Sequence, residues 1–158
     1  ESKFGGQEAA VRAYSPIVEK AEALGLKIQF EGMKRTPNTL DAHRLIHWAG
    51  IEKKQNEAVD ALFNAYFVEA RDIGDADVLS DIADGIGMDA SVVRRLLGSD
   101  ADRDDISQRD THSREMGVSS VPTFIVAGRH AVPGAQSPDL WKKVISELKE
   151  QVEGVEKV

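Results

Sequence analysis

Along most of the chain, apolar residues recur at the three- and four-residue spacing of a helix. Near the C-terminal end they bunch instead into short runs of strand-forming residues. Tyr14, Ile17, Val18, Ala21 and Leu24 predict a first helix stopped by Gly25; Pro16 either opens a second helix there or kinks a longer one. The stretch 26–30 reads as a short extended piece. Pro37 and a cap from Asn38 or Thr39 introduce a helix with Ala42, Leu45, Ile46 and Ala49 on one face, ended by Gly50. A helix over 55–70 places Val59, Leu62, Phe63, Tyr66 and Phe67 on one stripe, read as core. Asp75 or Asp77 caps the next, with Leu79, Ile82, Ala83 and Ile86 inward and Gly85 and Gly87 at its end. Asp89 or Ser91 starts a short one carrying Ala90, Val93 and Leu97, closed by Gly98.

The polar, acidic run 99–110 reads as a solvated helix start, with the helix continuing to Met116 and capped by Gly117. Then "PTFIVAG" and "HAVPG" predict two strands joined through Ala127, Gly128 and Arg129. Ser137 caps a closing helix with Pro138 at its first position and Trp141, Val144, Ile145 and Leu148 as its buried stripe. A two-stranded hairpin is marginal by itself in water. Residues 1–116 offer it only the weak 26–30 stretch, so we expect a sheet-completing segment ahead of Glu1.

The 158 residues are enough for one domain with a real core, and 41% apolar with 30% charged is an ordinary globular balance. A net charge of −7 argues against nucleic acid, which a protein binds by releasing counterions with basic groups. No apolar run reaches the roughly 20 residues a membrane helix needs, and no signal-peptide pattern is visible. There is no cysteine, so these residues hold no disulfide, thiolate metal site or sulfur nucleophile.

Individual residues carry only weak chemistry. His43 and His47 share a helical face, but no third ligand or HExxH pattern accompanies them, so no metal site is expected. His112 and His130 have no evident partner, and the serines show no GxSxG pattern. Arg35 has the fork to take a carboxylate, although a surface arginine is the default reading. Gln136 precedes a helix whose first amides favour anions. Pro122 stands where a strand is about to begin; by residue type alone, an ordinary trans proline opening a strand is the simplest account.

Taken together, "RTPNT", "DAHRL", "VPTF" and "GAQ", in this order and spacing, resemble the DsbA family of thioredoxin-fold proteins. The stretches "RTPNTLDAHRLIHWAG" and "GVSSVPTFIVAGRHAVPGAQSPDLW" are most similar to its FrnE-like branch, beside the 2-hydroxychromene-2-carboxylate isomerases and kappa-class glutathione transferases. The resemblance runs from about "KFGG" to the last helix. It implies an α/β, thioredoxin-like fold, with 1–34 and 117–158 forming an incomplete thioredoxin part and 35–116 an inserted all-helical subdomain. In such proteins the proline of the "VP" pair is cis, which is uncommon. Val121 and Pro122 then form the catalytic corner, with Val121's backbone free to pair with an extended substrate. Asn38, Arg35, Thr123 and Gln136 are the implied substrate contacts; Asn38 can equally be a helix cap. The family's first strand and its Cys-x-x-Cys pair, or a serine in the other branches, sit at a helix N-terminus that favours a thiolate. No part of this sequence matches that segment, and we expect it ahead of Glu1.

The leading expectation is a thiol–disulfide oxidoreductase of the DsbA/FrnE type, with no bound cofactor and a protein or glutathione-like thiol or disulfide as partner. Neither nucleic acid nor membrane is an expected partner, the cytoplasm is the expected compartment, and a homodimer is left open. A glutathione-dependent isomerase or transferase is the alternative; Ala135 and Gln136, where kappa-class transferases have Ser-Asp, weaken it. A thioredoxin-fold binding module that has lost its site is the third reading.

Overall fold

Ala42, Leu45 and Ala49 sit one and two helical turns apart, and in the structure all three are buried on one face of helix α1, Leu40–Ile51. The structure, a computed structural model, describes residues 15, 17–33, 35–128 and 130–155. These form two compact units, 1–108 and 109–158.

In the first unit, backbone over 17–23 is helical and Gly25 turns the chain with φ +73°. The extended piece expected over 26–30 pairs with no strand among the described residues. Residues 26–29 are irregular and Phe30–Gly32 is a 3₁₀ turn. Helix α1 is followed by α2, Gln55–Phe63, and the chain reverses between them at Lys53, φ +62°, three residues beyond Gly50. Helices α3, Ala76–Gly85, and α4, Ala90–Leu97, each begin at an aspartate. Asp75 accepts from the Asp77 amide, and Asp89 from those of Ser91 and Val92, satisfying amides that a helix start leaves unpaired. The core is Leu45, Trp48, Leu62, Leu79, Val93 and Leu97 from α1 to α4, interleaved with buried alanines.

The expected 55–70 helix keeps its α-helical form only to Phe63. Asn64–Val68 is a π turn, closed by Glu69 N–H to Asn64 O at 3.0 Å and Arg71 N–H to Ala65 O at 2.8 Å. Residues after Phe63 therefore leave the 3.6-residue spacing. Ala58, Leu62 and Ala65 are the buried residues, whereas Val59, Tyr66 and Phe67 are half-buried and Phe63 is 59% exposed. The aromatic stripe is thus a partly open face and not core.

One buried residue is a cation. Arg44, on the core face of α1, is 0% exposed. Its Nε donates to Ala101 O at 2.8 Å, Nη1 to Asp41 Oδ1 at 2.9 Å and Leu97 O at 3.4 Å, and Nη2 to Leu96 O at 2.7 Å and Ser99 O at 2.8 Å. Five contacts match the five N–H donors of a guanidinium. Four of them are carbonyls at and just beyond the C-terminus of α4, where a helix leaves acceptors unpaired and carries partial negative charge. The guanidinium carbon also lies 5.0 Å from the ring centre of Trp48, whose Nε1 donates to Asp102 Oδ2 at 2.8 Å.

Helix α5 spans Arg103–Glu115 and contributes Ile106 to the buried set. In the second unit, β1, Thr123–Val126, pairs antiparallel with β2, His130–Pro133, in the register Thr123↔Pro133 to Val126↔His130. The expected hairpin is present. Ala127 and Gly128, at φ +52° and +67°, carry its turn. Helix α6, Pro138–Val155, starts at Ser137, whose Oγ accepts from the Leu140 amide at 3.3 Å. Trp141 meets Phe124 edge to face at 4.9 Å. The stripe of α6 is less buried than its periodicity suggests: Trp141, Val144 and Leu148 are half-buried and Ile145 is exposed.

Replacing Arg44 with Met leaves four carbonyls and Asp41 without their donor. Arg44→Met is expected to cost about 3 kcal/mol or more, read as a lower urea midpoint at unchanged slope. Arg44→Lys, with three donors and no planar fork, is expected to recover only part of it.

Candidate functional site

The predicted site residues fall in both units. In the second, the polypeptide enters β1 through an open corner. Val121 is 90% exposed, and its peptide bond to Pro122 is cis. Neither the amide nor the carbonyl of Val121 has a hydrogen-bond partner among the described residues. The Pro122 carbonyl is occupied, accepting from Gly134 N–H at 2.7 Å just past the end of β2. Pro122 thus closes the hairpin with its carbonyl and, lacking an N–H, adds no unpaired donor of its own to that of Val121. Thr123 Oγ1 donates to Ser120 O at 2.6 Å and folds the preceding turn onto the strand. Gln136 Nε2 donates to Pro133 O at 2.6 Å, so its amide braces the loop from β2 to α6.

In the first unit, Arg35 and Asn38 stand in the loop before α1. Thr39 stands at the N-cap but makes no side-chain cap bond; Asn38, one residue earlier, accepts from the Leu40 amide through Oδ1 at 3.0 Å in its place. Arg35 Nε donates to Asp72 Oδ2 at 2.6 Å, and Asp72 Oδ1 accepts from Gly74 N–H at 2.9 Å. The Gly74 amide above all, with the Arg35 guanidinium beside it and burial opposing, holds the Asp72 carboxyl below the usual carboxylate range. A side chain at Gly74 would bring a Cβ to 3.1 Å from Asn38 O and 3.2 Å from Asp72 Oδ1. The close approach that glycine permits thus fixes the 35–39 loop against the 72–75 turn.

His43 Nδ1 lies 2.7 Å from Thr39 O. A carbonyl only accepts, so Nδ1 carries a proton and donates in this contact. No group of three or more potential metal-binding side chains exists among the described residues, and no described helix is long and apolar enough to cross a membrane.

The aromatic residues of α2 and the π turn were missed as surface features. With α1 and the 35–39 loop they line a hollow of about 280 Å³. Their regular spacing argued for burial, and nothing in the residue types announces a π turn.

Residues 9–146 match the DSBA-like thioredoxin domain. An uncharacterized protein, YwbO, from Bacillus subtilis is 34% identical over 132 residues, covering 83% of this chain and 66% of that protein. The crystal structure of a probable DsbA oxidoreductase from Streptomyces coelicolor superposes with a TM-score of 0.79 at 26% identity, over 92% of this chain and 63% of the other. The chain thus spans just under two thirds of the length of each.

Because its folded-state pKa is lowered, Asp72 contributes stability that is complete above its unfolded value and lost as pH falls through its folded value. Asp72→Asn is therefore expected to lower the melting temperature at neutral pH. The gap to the wild type should shrink as the pH drops below about 4, as thermal melts across pH would record.

Proposed function

Since this chain belongs to the DSBA-like thioredoxin domain family, we propose that the protein is a thiol–disulfide oxidoreductase that presents its substrate to the Val121–Pro122 corner. The FrnE-like branch is the finer placement we favour, on "RTPNT" and "VPTF". The observation that carries the reading is the exposed Val121 backbone, with donor and acceptor unpaired at the entrance to a strand. Such a step can receive an extended chain by adding one rung of strand pairing.

The 158 residues contain no cysteine, so the reacting sulfurs come from outside them. One thiolate attacks a sulfur of the substrate disulfide, forming a mixed disulfide and releasing the other substrate sulfur as a thiolate. A second thiol of the protein then attacks the mixed disulfide. Two electrons pass to the substrate, two protein thiols become a disulfide, and the protons exchange with solvent. Run backwards, the same steps oxidise a substrate dithiol. No bound cofactor is required. Within the second unit, Val121 holds the substrate backbone and Pro122 and Thr123 fix the corner; Asn38 and Arg35 are contacts offered by the first unit taken by itself. Arg35 is suited to a substrate carboxylate because its Nε alone is committed to Asp72. Gln136 fits a substrate contact less well, since its amide is engaged in its own loop. This weakens a glutathione-dependent isomerase reading, in which Gln136 would take a carboxylate.

The test is disulfide exchange by the full-length protein with a cysteine-containing peptide and with a small dialkyl disulfide. Val121→Pro removes one N–H from the corner. We expect it to slow exchange with the peptide by about tenfold, the worth of one hydrogen bond, and to leave the small disulfide unaffected. Absence of exchange in the full-length wild type, or equal peptide rates in the variant, contradicts the proposal.

A further inference from the structure

Phe63 is 59% exposed, and the hollow beside it is lined by Pro37, Ile46, Val59, Leu62 and Phe67. Its walls are nearly all carbon, an arrangement that favours an apolar guest by the area it removes from water. Tyr66 lines this hollow and also a second of about 290 Å³, shared with Met33, Arg35 and Asp72. Tyr66 is thus a wall of both spaces. In the second, Arg35 spends Nε on Asp72, while its Nη1 and Nη2 have no partner among the described residues. That free edge matches a second carboxylate. His43, its Nδ1 2.7 Å from Thr39 O, also lines the first.

Pockets that enclose a whole small molecule run from about 300 to 1,000 Å³. A hollow of about 280 Å³ that opens at Phe63 lies at the foot of that range and has room for one large side chain. Charge selects the neighbour of that side chain. The net charge of −7 repels an acidic partner at long range, yet this repulsion is screened beyond roughly 10 Å at 0.1 M salt. At contact distance the Arg35 edge counts, with Arg71 lining the same space and the Asp72 carboxylate already paired to Arg35 Nε.

We propose that the slot between α1 and α2 holds one aromatic or large aliphatic side chain of an extended peptide, with an adjacent acidic residue of that peptide on Arg35. This names the sequence class of the protein substrate and so rests on the oxidoreductase reading. The π turn is what sets Tyr66 and Phe67 at the slot, and π turns are common at functional sites.

The experiment measures fluorescence anisotropy of labelled, cysteine-free ten-residue peptides with the full-length protein. The parent peptide carries Phe-Glu at its centre among small polar residues. Saturable binding is expected, weakened about tenfold or more when the Phe is replaced by Ala. Replacing the Glu by Gln should weaken it about threefold at low salt, and Arg35→Gln should abolish that preference. Phe63→Ser, at an exposed position, should weaken the Phe peptide while the melting curve stays cooperative. Equal binding of the Phe and Ala peptides, or a Glu preference that survives Arg35→Gln, overturns the proposal. So does competition by phenylacetate at the peptide's own concentration, which would make the slot a small-molecule site. Because the peptides lack cysteine, lost binding with intact disulfide exchange refutes the slot alone. Intact binding without exchange refutes the oxidoreductase alone.

Discussion

A buried guanidinium with every N–H placed is the constraint on which the helical unit depends. Arg44 is on the core face of α1 and reaches the carbonyls that end α4, so one side chain ties the first long helix of the unit to the end of the fourth. Burying a charge is expensive unless its hydrogen bonds are met. Here the helix end supplies oxygen acceptors in a cluster, and Asp41 supplies a formal negative charge one turn away on the same helix. Trp48 covers the guanidinium and is itself held by Asp102. The hydrophobic core could be repacked in several ways by residues of this size, whereas this set of donors and acceptors is met in one arrangement. Register between α1 and α4 is thereby specified by polar geometry on top of apolar burial.

The second unit solves a smaller problem with backbone groups. Its hairpin is closed below the turn by Gly134 N–H on Pro122 O, and short side-chain bonds from Thr123 and Gln136 stiffen the two loops that flank it. These bonds use up the neighbours of Val121 and leave Val121 itself unpaired. The corner is therefore rigid and unsatisfied at once, the combination wanted where a partner's backbone is to be received.

Much of this was legible in the residues. Aspartates 75 and 89, Ser137, the hairpin at 123–133 and the apolar faces of α1, α3 and α4 follow local rules that no distant contact overrides. The failures have a common physical origin. Residues 26–30 have the composition of a strand, but no neighbouring strand among the described residues offers a ladder, and the Gln29 amide instead donates to Phe67 O at 2.7 Å. The aromatic stripe of 55–70 has helical periodicity, which cannot distinguish a buried face from a face awaiting a guest. Arg44 draws no reading from the sequence, because the carbonyls that reward its burial lie more than fifty residues away. At the candidate corner, the Val121–Pro122 pair was pointed to by resemblance; its composition alone argues for nothing beyond a strand entry.

A π turn is an α-helix carrying one residue more than its pitch accommodates. The Asn64–Val68 turn disposes of that surplus by widening, and one of its carbonyls is then taken by the amide of Gln29. The shape of the aromatic face thus depends on chain length at this point more than on which aromatics stand there. An in-frame loss of a single codon between 64 and 68 would let the helix wind on regularly, rotate Tyr66 and Phe67 by roughly a quarter-turn or more, and strand Gln29 without its acceptor. Among descendants of this chain, gain or loss of one residue in that bend is the economical route by which the face would be reshaped.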